Sequence, residues 1–308
     1  MSVSPSGREY ALVNGDQRAV IVEVGAGLRS YRSSTTDVVD GFRRSEPGEG
    51  GRGQILLPWP NRIADGRYSF GGREMQLPVN ESRTGCAIHG LTRALQWALV
   101  DAAVDTATLS LDLWPSTGYP FALSLAITYA LTSHGLTVQT TARNTGDNPC
   151  PYGAGAHPYV RVDDAHPVDA SLLHMPASAT LEADARGIPT GVTCSVEGTD
   201  FDFRTPRRIG SLLLDTAYTA LSADADGITR ISLAAPDGDR VVTVWMDATH
   251  PFAMIYSGDT LSDVRRRRHG LAIEPMTCAP DAFNSGFGLI TLQPGESHVS
   301  TWGISPAH

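Results

Sequence analysis

The sequence has no surplus of basic residues. Lys and Arg total 24 against 33 Asp and Glu, for a net charge of −9 and an isoelectric point near 5.4. A nucleic-acid-binding face needs a basic surface, so no nucleic-acid partner is expected. Nor is there a run near the ~20 apolar residues of a membrane helix. The opening "MSVSPSGREYALVNGD" lacks the charged head and apolar stretch of a secretory leader. These absences predict a cytoplasmic protein with no membrane partner. The four cysteines, Cys86, Cys150, Cys194 and Cys278, form no CxxC pair. In a reducing compartment they read as free thiols, and the paired spacing of a zinc site is missing. Neither a metal nor an organic cofactor is expected. Helical periodicity is scarce, and no linker, low-complexity tract or short repeat interrupts the chain.

What is present is period-two alternation. In "FALSLAITYAL" the side chains of Phe121, Leu123, Leu125, Ile127, Tyr129 and Leu131 share one face, with small or polar residues between them. "ATLSLDLW" repeats the pattern through Leu109, Leu111 and Leu113; "RVVTVWMD" and "FAMIYSG" are further β-rich runs. Hairpin cues fall at Asn14-Gly15, Gly71-Gly72 and Asp237-Gly238. Only "IGSLLLDTAYTAL" (209–221) suggests a short helix. Apolar residues make up 41% and charged residues 19% of the 308, which allows a sizeable core and argues against disorder. The expectation is one all-β domain, 1–308, of many antiparallel strands, as a sandwich or a barrel.

Three segments concentrate polar residues that turns and strands do not explain. In the first, Arg62 follows Trp59-Pro60-Asn61 at a rigid bend, and its five fixed donors suit several hydroxyls. Asn61, Asn80 and His89 belong to the same segment. Taken alone, His89, between Ile88 and Gly90, reads as a satisfied core histidine. In the second, Gly153 and Gly155 let the backbone approach closely before His157, and Pro158 holds His157 extended. That histidine, beside Tyr159, is either a general acid or a turn residue without a role. In the third, Glu274 ends an apolar run before Pro275. A carboxylate there is costly unless paired or used, and burial would raise its pKa toward that of a useful base. Asp215 is a helix cap or a hydroxyl acceptor. Asp281 and Asn284 look like loop architecture. The run Arg265 to Arg268 reads as a solvated loop, with an anion-binding patch as the sharper alternative. No motif places His166, His174, His250 or His269; His134 lies in a turn, His298 at a strand start and His308 at the terminus.

Together, "PWPNRIADGRYSFGG", "LPVNE" with "IHGL", "NTG" with "GAHPY", and "EPMTCAPDAFN" resemble the aldose 1-epimerase (galactose mutarotase) family. The motifs stand in family order and span about residues 54 to 286. The resemblance is closest to a bacterial subgroup that includes sulfosugar mutarotases. It implies a galactose-mutarotase-like β supersandwich with a sugar cleft on one sheet face. It further implies His157 as general acid and Glu274 as general base. Arg62 and His89 would hold sugar hydroxyls, with Asn61 and Tyr159 beside them. Asp215 would correspond to a substrate-binding aspartate, whose motif "LDTAYTAL" approximates.

The implied partner is a small monosaccharide and the implied state a monomer or homodimer. Glu274 would take the proton of the C1 hydroxyl while protonated His157 gives one to the ring oxygen; the open aldehyde would rotate and reclose. Rival readings are a non-catalytic carbohydrate-binding protein on the same scaffold and a glycoside hydrolase, which needs two carboxylates. A narrower rival is a mutarotase for an anionic sugar, sulfoquinovose or a hexose 6-phosphate.

Overall fold

A computed structural model describes residues 4–162 and 167–307; His166 and His308 lie outside them. The described chain is nearly all strand, and its one α-helix is the four-residue Ala282–Ser285. A nine-stranded sheet runs from Ala98–Ala102 through Thr106–Leu113, Leu123–Thr132, Gly135–Asn144, Ser297–Ala307, Val241–Met246, Thr229–Ala234 and Leu172–His174 to Arg207–Arg208. Its central strands show the expected alternation. Leu123, Leu125, Ile127, Tyr129 and Leu131 are buried, while Ser124, Ala126 and Thr128 are half-buried. The three hairpin cues hold: Asn14 pairs with Gln17, Phe70 with Arg73, and Ala234 with Val241.

An eight-stranded sheet carries the residues of interest. Its path is Pro189–Ser195, Ala177–Ala183, Asp215–Leu221, Phe252–Tyr256, Leu271–Met276, Gly155–Ala156 and Ile55–Leu56, with Tyr159–Val160 also paired to Leu271–Met276. The two sheets close on one core, in which Leu125, Ile127 and Val244 of the first meet Ile255, Leu271 and Ile273 of the second. A four-stranded sheet over residues 9–37 docks on this sandwich. Gln17 donates to the carbonyl of Thr132 (2.8 Å), and Tyr129 donates to that of Ala26 (2.6 Å).

The segment 209–221 corrects the helix expectation. Residues 209–214 are a turn at Gly210-Ser211 followed by irregular chain, and Asp215–Leu221 is a strand paired on both edges. Ala217, Tyr218 and Thr219 are buried in succession while Asp215 is exposed, so no period-two pattern marks the strand in the sequence. Asp215 therefore caps no helix. The four cysteines are free thiols, as expected.

Candidate active site

Strand parity decides which side chains meet. Along Leu271–Met276, Leu271 and Ile273 enter the central core, while Ala272, Glu274 and Met276 project from the opposite face. Met254 is opposite Glu274, and Tyr256 is opposite both Ala272 and Asp215. Asp215 and Glu274 thus lie diagonally on one outer face, with one strand between them. Gly155 is opposite Met276 and Tyr159 opposite Ala272. Carried across the gap at Pro158, that register puts His157 opposite Glu274. His157 Nε2 lies 3.2 Å from Glu274 Oε1, and both side chains are buried.

His157 is held on several sides. Its backbone N–H donates to Gln54 and its carbonyl accepts from Gly53. Its ring stacks on Tyr159, centroids 4.9 Å apart at 18°, and meets His89 edge-on at 5.3 Å. Gly51, at φ +78°, lies under the imidazole, where any Cβ would strike the ring. The guanidinium of Arg52 lies 4.4 Å above the Tyr159 ring, paired with the buried Asp40 at 2.9 Å. Arg52 and His157 thus both pack on the Tyr159 ring, and the imidazole reaches the carboxylate through Nε2.

These side chains border a cavity of 310 Å³, lined also by Asn61, Arg62, Asn80, Glu81, His89, Asp215 and Tyr256. Asn61, at φ +53°, turns the chain into Arg62, and its Oδ1 accepts from the Arg62 N–H. Arg62 Nε and Nη2 grip both oxygens of Glu81, at 2.7 and 2.9 Å. Two of its five donors are thus committed to protein, leaving the Nη1 side for a ligand. Gly187, at φ +77°, closes over that guanidinium; a Cβ there would lie 2.6 Å from Nη1. Asn80 clamps the backbone of Ile88 in both directions, which aims His89. Its Nδ1, like His157 Nδ1 and Glu274 Oε2, is buried without a protein partner. Groups so placed are arranged for a polar ligand.

Burial dominates the electrostatics. It lowers His157 to about 3, helped by the charges of Arg52 and Arg93. His89 is held well below the usual imidazole range by burial, then by His157, Arg93 and Arg62. Glu274 is pushed well above the carboxylate range by burial and by Asp215, against the opposing charge of Arg62. Asp215 is raised by the enclosing cleft walls, with Arg62 and Arg83 opposing, although its own side chain is open to solvent. Glu81 is lowered: burial pushes it up, but bonds from Arg62 and Thr84 outweigh that. Burial thus disfavours the charged form of each partner, the imidazolium of His157 and the carboxylate of Glu274.

Of the sequence candidates, His157, Glu274, Arg62, His89, Asp215 and Asn61 line one cavity. His89, expected from its own context to be a satisfied core residue, has an unsatisfied Nδ1 there. Tyr159, expected among the sugar contacts, lies one layer behind His157 and donates its hydroxyl to the Gly50 carbonyl. Asp281 is loop architecture, as read: it accepts from the Ala64 N–H and its own N–H donates to the Arg62 carbonyl. Arg265 to Arg268 are not a free anion patch, because each is bonded to protein carboxylates or carbonyls. Sequence reasoning passed over Glu81, Arg52 and Tyr256. Glu81 was legible in "LPVNE" as the counter-charge a buried arginine requires; nothing local marked the other two. Among the described residues no His, Cys, Asp and Glu cluster has metal-binding geometry, and no helix is long and apolar enough to cross a membrane.

Residues 8–305 match the aldose 1-epimerase family. The uncharacterized protein YihR of Escherichia coli K12 is 35% identical, over 95% of this chain and 91% of its own. Galactose mutarotase of Rattus norvegicus is 28% identical, over 89% and 85%. Among solved structures, the GalM/aldose epimerase homologue from C. elegans superimposes with a TM-score of 0.87 at 21% identity, over 98% of this chain and 99% of its own. That likeness shows the fold to be galactose-mutarotase-like. By the extent of its match and its 35% identity to a relative over nearly its whole length, the chain belongs to the aldose 1-epimerase family.

Proposed function

We propose that the whole chain is one catalytic domain, a cytoplasmic aldose 1-epimerase that interconverts the α and β anomers of a free hexose. The observation that carries this reading is the 3.2 Å approach of His157 Nε2 to Glu274 Oε1 at the wall of a hexose-sized cavity. Ring opening moves one proton off the C1 hydroxyl and one onto the ring oxygen. Glu274 as carboxylate takes the first, and His157 as imidazolium gives the second. Atom for atom, this leaves a protonated Glu274 and a neutral His157 beside the open aldehyde.

In that state both groups are neutral, the form that burial favours for each. Rotation about C1–C2 and reversal of both transfers give the other anomer. Arg62, with Asp215, His89 and Asn61, keeps the open chain oriented, and the reaction written this way calls on no metal or organic cofactor.

Polarimetry of freshly dissolved galactose, glucose, xylose, glucose 6-phosphate and sulfoquinovose tests the reading and ranks the sugars. Glu274→Gln and His157→Asn should each lower kcat by at least about 10²-fold with unchanged circular dichroism. Wild-type rates in either variant would remove that residue from its role. Sugar binding by calorimetry without acceleration of any anomerisation would mark a binding protein instead.

A further inference from the structure

Asp40 is buried outside the lining of the hexose cavity. A short antiparallel ladder places it. Val39 pairs with Val160, the Asp40 N–H donates to the Tyr159 carbonyl (2.7 Å), and the Arg161 N–H donates to that of Val38. Asp40 is thereby fixed opposite Tyr159, the residue on whose ring His157 packs. Gly270 makes room beside both, since a Cβ there would lie 2.9 Å from the Asp40 Cβ and 3.2 Å from that of Tyr159.

The Asp40 carboxylate draws in two guanidinium groups and an imidazole. Its Oδ2 pairs with Arg52 Nη2 at 2.9 Å; its Oδ1 meets Arg266 Nη1 at 3.0 Å and His269 Nδ1 at 2.9 Å. Burial pushes this carboxyl up, but the His269 bond and the charges of Arg52 and Arg266 outweigh it and hold it low. Arg266 has a second counter-charge in Glu46 (3.3 Å) and also donates to the Gly41 carbonyl (2.7 Å). Arg52 does not. Among the described residues it pairs with no other carboxylate, and its further contacts are the Glu49 carbonyl (3.4 Å) and the Tyr159 ring. Removing Asp40 would leave that buried guanidinium uncompensated, one aromatic ring from His157.

We propose that Asp40 is a positioning residue of the anomerisation: by holding Arg52 and offsetting its charge, it lets His157 carry the positive charge that proton donation to the ring oxygen requires. This rests on the mutarotase reading. His89, Arg93 and Glu274 also face the imidazole, and all three keep their places when Asp40 is replaced by its amide.

The test is a double-mutant cycle read by polarimetry with the best sugar of the panel. Asp40→Asn keeps the shape and removes the charge. Its kcat should fall about tenfold, the effect of one pKa unit on the imidazolium, with KM within about twofold. Asp40→Glu, which keeps the charge, should recover most of that loss. Adding Arg52→Gln to Asp40→Asn removes the uncompensated cation, so kcat should return to within about twofold of Arg52→Gln alone. The double variant also serves if Asp40→Asn does not fold, because replacing both partners of a buried pair is milder than removing one. A double variant well below Arg52→Gln alone, an equal loss in both backgrounds, or a loss confined to KM would overturn the proposal. A wild type that turns over no sugar would instead overturn the mutarotase reading. The imidazole nitrogen shifts of His157, followed in acid, would then decide the coupling. The imidazolium forming at lower pH in Asp40→Asn than in the wild type, and at one pH in the two Arg52→Gln proteins, would uphold it; any other order would overturn it.

Discussion

The guanidinium of Arg52 acts on the imidazole of His157 through the ring of Tyr159. The charge is fixed, buried and held by Asp40, so it disfavours a second positive charge on the stack. His89, Arg93 and Glu274 also face that imidazole. Arg52→Gln removes one opposing charge and leaves the others. Because the arginine lowers His157, its loss raises the imidazole pKa. The acid limb of the kcat/KM profile, where the pair gains a second proton, should move to higher pH; Arg52→Lys, which keeps the charge, should hold it nearer its original place. An acid limb unmoved in the Gln variant would deny the coupling. Arg62 makes a different case. Glu81→Gln weakens the bidentate grip on its Nε and Nη2 edge, so the guanidinium should wander while keeping its charge. Steady-state kinetics should show KM raised about tenfold with kcat little changed, the mark of lost uniform binding.

Single elements show what the sequence could and could not disclose. The strand Leu123–Thr132 was legible because one face is dry and the other half wet, so composition repeats every second residue. The strand Asp215–Leu221 was not, because Ala217, Tyr218 and Thr219 are buried in succession and no alternation shows. His157 and Glu274 were legible as residue types in suspicious company: glycines before one, an apolar run before the other. Their meeting was implied by the family resemblance alone and not by the residues themselves, since it depends on a register shared by strands over a hundred positions apart. Arg265 to Arg268 misled in the same way, as a charge run says nothing of its partners. Arg268 alone bonds Asp259, Asp169 and the carbonyls of Gly210 and Leu212. It thereby ties the turn before Asp215 to the loop carrying Thr260, Leu261 and Ser262 of the cleft. Arg268→Ala should cost about 2–4 kcal/mol in denaturant titration, because several part-buried acceptors lose their donor. Lys should rescue little, having one charge centre where four acceptors are spread.

At the scale of the whole molecule, the cleft concentrates groups whose charged forms the fold disfavours, and stability must follow pH accordingly. The pKa values of His157 and His89 are lowered on folding. Their contribution is fully present above the unfolded imidazole value of about 6.5 and is lost as pH falls from there toward the folded values. The pKa values of Glu274 and Asp215 are raised. Their contribution is fully present below the unfolded carboxylate values and is lost as pH rises through the folded ones. Glutamine keeps the shape of a protonated Glu274 but cannot ionise. Glu274→Gln should therefore match the wild type in acid and become the more stable protein as pH rises. The gap should widen by up to about 1.4 kcal/mol per pH unit between the unfolded carboxylate pKa and the folded one, then level off. Calorimetric melting of both proteins from pH 4 to 9 reads that difference directly, with the histidine contributions common to both. A gap that stays flat would mean that folding does not raise the Glu274 carboxyl.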